Sequence, residues 1–226
     1  MGTTVAKLNR IINTKEGIRQ EINRAYNIEE ISASDTFNSY IQKLEEHPFY
    51  LDMFIERTIK NIKISNATSI GSYAFYGCSS LTSVDTPNAT SIDRYAFYSC
   101  SGLPSVSFPN VTSIGIYAFY SCSNLTEVSF PKATSIGSSA FQSCGNLTSV
   151  SFPNATSIGN NAFSSCTGLT TIYVGTNTST VCTLSNTGAF NSCTSLTNIY
   201  VPANLVDSYK SATNWSNYAD KIKATP

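Results

Sequence analysis

The stretch Tyr95–Leu125, YAFYSCSGLPSVSFPNVTSIGIYAFYSCSNL, states nearly the same phrase twice. Ala-Phe-Tyr, then Cys, then Leu return at one spacing. Working outward, Leu81, Leu103, Leu125, Leu147 and Leu169 fall 22 residues apart, as do Cys78, Cys100, Cys122, Cys144 and Cys166. Phe75, Phe97, Phe119, Phe141 and Phe163 obey the same period. Counting back from Leu81 reaches Ile59, where Ile replaces Leu. Counting forward, the next copy begins at Leu196, 27 residues after Leu169, so five residues are inserted within GTNTSTVCTLSNTG, Gly175–Gly188.

The unit reads L-x-x-V-x-F-P-N-A-T-S-I-G-x-x-A-F-x-x-C-x-x. A fixed period of this length is the signature of a leucine-rich repeat solenoid. Leu, Val and Phe at unit positions 1, 4 and 6 predict a short strand with Val and Phe facing inward. Pro at position 7 ends it, having no N–H for a ladder. Ala, Phe and Cys at positions 16, 17 and 20 predict one face of a short helical turn. No single unit closes a core; stacked units do, because like side chains pile into ladders. The expected fold class is α+β: a helical module at 1–58, a solenoid of six full units at 59–201, and a helical C-terminal cap at 202–226. In that cap Trp215, Tyr218, Ala219 and Ile222 are spaced as one helical face.

The copies of SIGSYAFYGCSSLTSV, Ser69–Val84, resemble the BspA-type leucine-rich repeats of bacterial surface proteins. The resemblance covers Ile59 to about Val201, and the closing segment IYVPANLVDSYKSATNWSNYADKI is similar to the end of such arrays. It implies a non-catalytic protein that works by recognition.

The first 58 residues hold 16 of the 28 charges, whereas Ser65–Gly175 hold five: Asp85, Asp93, Arg94, Glu127 and Lys132. Leu8, Ile11, Ile18, Ile22 and Ala25 predict an amphipathic helix, or two with a restart cap at Asn13 and Glu16. Ser34 or Asp35 caps a second, with Phe37, Tyr40, Ile41 and Leu44 as its apolar face. Pro48 opens a third that ends near Arg57. This module is expected to cap the solenoid and to support self-association, a trimer being the form that would mark a fibre. Its sequence also resembles N-terminal segments of tail and fibre proteins of phages and prophages, which implies contact with virion proteins through residues 1–58.

Zero net charge, from 14 basic and 14 acidic residues, argues against a nucleic-acid partner. No stretch approaches the ~20 apolar residues of a membrane span. The N-terminal segment lacks the apolar run of a secretory signal, so either the protein is not exported by that route or the signal lies outside this sequence. His47, directly before Pro48, is the only histidine, so no Cys–His or Ser–His pair is available elsewhere. We expect no catalytic residues, cofactor or metal. Six of the seven cysteines share unit position 20 and are expected to stack as small buried groups, with inter-rung disulfides left open. Cys182 lies off that ladder, in the insertion, and is expected to be exposed. Eight Asn-x-Ser/Thr sequons occur, and most are supplied by the repeat itself.

Two surfaces remain as candidate binding sites. The outward strand face at positions 3 and 5 carries Ser83, Asp85, Ser105, Ser107, Glu127 and Ser129, a largely neutral hydroxyl carpet that continues through Ser149, Ser151, Thr171 and Tyr173. The second is aromatic. Tyr73, Tyr95 and Tyr117 hold position 15, and Tyr76, Tyr98 and Tyr120 hold position 18, whereas later units have Ser139, Gln142, Asn161 and Ser164 there. A uniform structural requirement would not stop halfway. The expected partner is a protein or glycan on a host or cell surface. The expected location is a virion, with a cell-surface adhesin as the alternative. A scaffold for intracellular protein contacts is a third reading.

Overall fold

The computed structural model describes residues 60–65 and 67–226. The helices expected within 1–58 lie outside the described residues. From Lys60 onward the chain winds as a solenoid whose turns have three sides.

The first side is a strand at positions 3–5. It comprises β1 (Asn61–Lys63), β3 (Ser83–Asp85), β5 (Ser105–Ser107), β7 (Glu127–Ser129), β9 (Ser149–Phe152), β11 (Thr171–Val174) and β13 (Asn198–Val201). The second side is a two-residue strand at positions 11–12: β2 (Ser69–Ile70), β4 (Ser91–Ile92), β6 (Ser113–Ile114), β8 (Ser135–Ile136), β10 (Ser157–Ile158) and β12 (Thr183–Leu184). These six form one continuous parallel sheet. Register follows the repeat, with Ser69 opposite Ser91 and Asn61 opposite Ser83. On the first side the ladder is interrupted between β3 and β5 and again between β7 and β9. Where the ladder is continuous the position-2 N–H donates to the rung before, as Thr126 does to Pro104 and Thr170 to Thr148. Pro104 itself has no N–H to give Thr82, which accounts for the first of these breaks.

The third side departs from expectation. Positions 13–20 form tandem turns, not a helix. Alternate N–H groups point along the solenoid axis: those of Tyr73, Phe75 and Gly77 donate to Arg94, Ala96 and Tyr98 of the next rung. A helical turn would have spent these donors within itself. The chain achieves the alternation by left-handed backbone at two positions per turn, such as Tyr95 (φ 57°) and Ser99 (φ 56°).

The core is a set of ladders. Phe75, Phe97, Phe119, Phe141, Phe163 and Phe190 stack face to face at 5.0–5.7 Å between centroids. Phe108, Phe130 and Phe152 form a second column, edge-on to the first where Phe119 meets Phe130. Leu81, Leu103, Leu125, Leu147 and Leu169 are all fully buried. Burial of such columns, not any one turn, is what stabilises the array.

The insertion divides unequally. β10 pairs with β12 so that Ser157 lies opposite Thr183, an offset of 26, whereas Phe163 stacks on Phe190, an offset of 27. Four extra residues thus precede β12 and one follows it.

The end of the chain corrects two further expectations. It is not a helical cap: α1 (Val206–Ser211) is one short helix, Trp215–Tyr218 is a 3-10 turn, and β14 (Ile222–Ala224) is a strand that pairs with β13. Asn214, at φ 67°, breaks the helical path just before Trp215. Ile222 therefore sits opposite Ile199 in the sheet and does not share a helix face with Trp215. Cys182 is buried, not exposed. Its N–H donates to Tyr209 Oη at 2.9 Å and its carbonyl accepts from Trp215 Nε1 at 2.6 Å. Asn214 Nδ2 donates to Leu184 O, so the cap covers the last strand of the second sheet. The α+β class reduces, over the described residues, to a β-solenoid with one short helix.

Candidate recognition surfaces

Backbone geometry brings the six tyrosines together. Tyr73, Tyr95 and Tyr117 stack at 4.8 and 5.0 Å, and Tyr76, Tyr98 and Tyr120 stack at 4.8 Å throughout. Within each turn the two columns meet at 5.6–5.8 Å. All six rings are half-buried. Burial, and then the neighbouring phenols of Tyr76, Tyr120, Tyr95 and Tyr117, push the central Tyr98 hydroxyl above its ordinary pKa.

Position 15 makes this arrangement costly. Tyr73, Tyr95 and Tyr117 have φ between 56° and 60°, a region that favours Gly and Asn. A bulky residue there costs roughly 1–2 kcal/mol. Stacking, worth about 0.5–1.5 kcal/mol per pair, offsets part of that. Ile116, the one exposed large hydrophobic among the described residues, lies at position 14 beside Tyr117. The guanidinium of Arg94 sits 5.8 Å from the centre of the Tyr73 ring. The result is a surface of ring edges and hydroxyls with one cation at its rim, the amphipathic chemistry that protein interfaces favour.

The strand face is as the sequence implied. Ser83, Asp85, Ser105, Ser107, Glu127 and Ser129 are all exposed. Asp85 pairs with Lys63 at 3.5 Å, both well exposed. Sequence reasoning missed Tyr200. It is the register partner of Tyr173 and stacks on it at 4.9 Å. The lengthened spacing hid it, although counting position 5 from Leu196 would have found it.

The position-8 asparagines have a structural task. Asn88, Asn110 and Asn154 each donate from Nδ2 to the carbonyl of the preceding rung, at Ser65, Pro87 and Pro131. This explains why the sequon recurs there. All seven cysteines are thiols, not disulfides. No group of three or more His, Cys, Asp or Glu suited to a metal occurs among the described residues. No helix among the described residues is long and apolar enough to cross a membrane.

Comparison with known proteins agrees with this geometry. The family model described as BspA type Leucine rich repeat region (6 copies) matches residues 47–170 and 112–218. Among solved structures, a leucine-rich repeat protein from Bacteroides ovatus is 30% identical over 74% of this chain and 43% of its own, with a TM-score of 0.58. A T. pallidum leucine-rich repeat protein is 29% identical over 51% of this chain and 54% of its own, with a TM-score of 0.46. A leucine rich cell surface protein from Faecalibacterium prausnitzii is 20% identical over 77% of this chain and 62% of its own, with a TM-score of 0.34. The chain thus spans less than two thirds of each of these proteins. No curated protein matches it.

Proposed function

The chain belongs to the BspA-type leucine-rich repeat family, and on that premise we propose that it is a non-catalytic recognition protein displayed on the outside of a phage particle, where the solenoid meets the host surface. The observation that carries recognition is the double tyrosine ladder. Three tyrosines occupy left-handed backbone that Gly or Asn would fill at lower cost, and the pattern stops after three turns. The left-handed backbone continues in later turns with Ser139 and Asn161, so what is confined to the first three turns is the bulky ring placed on it, and a costly side chain kept at one surface points to a contact site. The phage setting is supported by the likeness of the first 45 or so residues to phage tail and fibre segments. Those residues would attach the chain to the particle.

The second reading, a bacterial cell-surface adhesin that binds host matrix or other cells, is favoured by the family itself.

The test replaces Tyr76, Tyr98 and Tyr120 with Ser together. Labelled protein is then measured for binding to bacterial and host cells, and for mass in solution. We expect binding to fall; the melting temperature should fall too, since five ring contacts are lost, so binding is measured well below the variant's melting point. Unchanged cell binding together with unchanged mass would reject the ladder as a contact site. A trimer that binds bacteria supports the fibre reading; a monomer that binds matrix or host cells supports the adhesin.

A further inference from the structure

The sheet face holds a second aromatic feature, built differently from the ladder. Tyr173 on β11 and Tyr200 on β13 are adjacent in register and stacked. The stack ends there. On the β9 side the register partner of Tyr173 is Ser151, which is exposed and carries no ring. One face of Tyr173 is therefore covered by Tyr200, while the other stands over serine as a wall over a floor. The double tyrosine ladder, by contrast, offers mainly edges.

The surroundings define what could lie against that wall. The floor beside it is Ser151 and Ser149 on β9, with Thr171 at the foot of the wall, and the next rung adds Glu127 and Ser129. Glu127 stands two rungs from Thr171, roughly 10 Å at sheet spacing. Lysines occur on this face only at its far ends: Lys63 pairs with Asp85, and Lys223, opposite Tyr200, is bound to Asn198 Oδ1 at 2.6 Å. On the serine floor beside the stack, phosphate, sulfate or an acidic peptide finds no lysine and meets a carboxylate, Lys223 lying across Tyr200 on the other side. An apolar peptide would find a single ring face among hydroxyls. A pyranose fits both parts. Its axial C–H face carries partial positive charge that suits the negative face of a phenol ring. Its hydroxyls match Ser, Thr and a carboxylate acceptor.

We propose that the Tyr173 face, with Ser149, Ser151, Thr171 and Glu127, is a binding site for a neutral oligosaccharide. One sugar residue stacks on Tyr173, and the chain runs across the serine floor toward Glu127, so the site takes at least two residues. This goes beyond the recognition reading and is independent of the double ladder, which lies on a different side of the turn.

Calorimetry or ligand-observed NMR on the full chain provides the test. The probes are a panel of soluble neutral hexasaccharides: β-1,4-linked glucose, β-1,4-linked N-acetylglucosamine, and α-linked mannose. An oligouronate serves as the anionic control. At least one neutral member should bind, and the oligouronate should not bind better. Tyr173→Ala should weaken binding on the order of tenfold, and Tyr173→Phe should restore it. Ser151→Tyr extends the aromatic stack over the floor and should abolish binding while the fold persists, which guards against a Tyr173→Ala variant that merely unfolds. The Tyr76, Tyr98, Tyr120 triple variant should bind sugar normally, so failure here and failure of the ladder reading are distinguishable. The proposal is overturned if no neutral member binds at millimolar concentration, if binding survives both Tyr173→Ala and Ser151→Tyr, or if the oligouronate is preferred.

Discussion

The thiol of Cys122 donates to the carbonyl of Phe97 in the preceding rung, 3.1 Å away. Cys100, Cys144, Cys166 and Cys193 do the same to Phe75, Phe119, Phe141 and Phe163. The repeated cysteine is therefore a small buried group with a weak donor aimed along the axis. Burial pushes the Cys122, Cys144 and Cys166 thiols well up, the Cys193 thiol to about 11 and that of Cys182, off the ladder, to about 12. Unfolded thiols ionise near about pH 8.5. Between there and the folded values the unfolded chain releases protons that the folded chain keeps, so stability is full below about pH 8 and declines as pH rises through that window. Melting temperature measured against pH should be flat to about 8 and then fall. A flat curve to about pH 10.5 would contradict the buried-thiol account.

Phe119 lies mid-array, fully buried between Phe97 and Phe141. Phe119→Ala should cost about 3–5 kcal/mol. Ser129, exposed on β7, should tolerate Ala within about 0.5 kcal/mol. Denaturant titration of both variants checks the inward and outward assignment; similar losses would refute it.

Thr86 takes position 6, where Phe108, Phe130 and Phe152 sit in the following turns. It is buried, and its Oγ1 has no hydrogen-bond partner. Thr86→Val keeps the shape and removes the stranded hydroxyl. We expect stabilisation of about 1 kcal/mol, read as a raised denaturation midpoint with unchanged slope. A loss of stability would show that the hydroxyl is satisfied.

Gly137 marks one of the close approaches between neighbouring turns. A Cβ there would lie 2.6 Å from the Gly115 carbonyl carbon, which is backbone and cannot swing away. Gly137→Ala should cost about 1–3 kcal/mol or more. Gly145→Ala, whose new Cβ would meet only the Thr167 side chain at 3.6 Å, should be close to neutral. Thermal melts of the pair separate steric exclusion from a general effect of losing glycine.

The ladders were legible in the sequence because a solenoid copies its side chains at the same spacing as its backbone. Phe75 to Phe163, the cysteines of position 20 and the tyrosine columns could all be placed by counting. The third side was misread because Ala, Phe and Cys at i, i+1 and i+4 suit a helical face as well as a pair of turns. Backbone donors, not side-chain spacing, decide between those two. The second sheet was missed for a similar reason: Ser-Ile alone is too short to show alternation. Cys182 was misplaced because its burial depends on Tyr209 and Trp215, far along the chain, which no local pattern connects to it. Of the candidate surfaces, the contiguity of the tyrosines was readable and the Tyr173–Tyr200 stack was not, since the insertion shifted its second member.

Ser69, Ser91, Ser113, Ser135 and Ser157 sit shoulder to shoulder, each one unit from the last. Removing or duplicating a 22-residue block between equivalent points would leave every junction of the type already present. Unequal recombination between two coding copies would therefore yield a rod shorter or longer by one step of about 4.8 Å. Reach, and the number of tyrosine or serine rungs offered to a partner, can thus vary between related genes with no new packing to be invented.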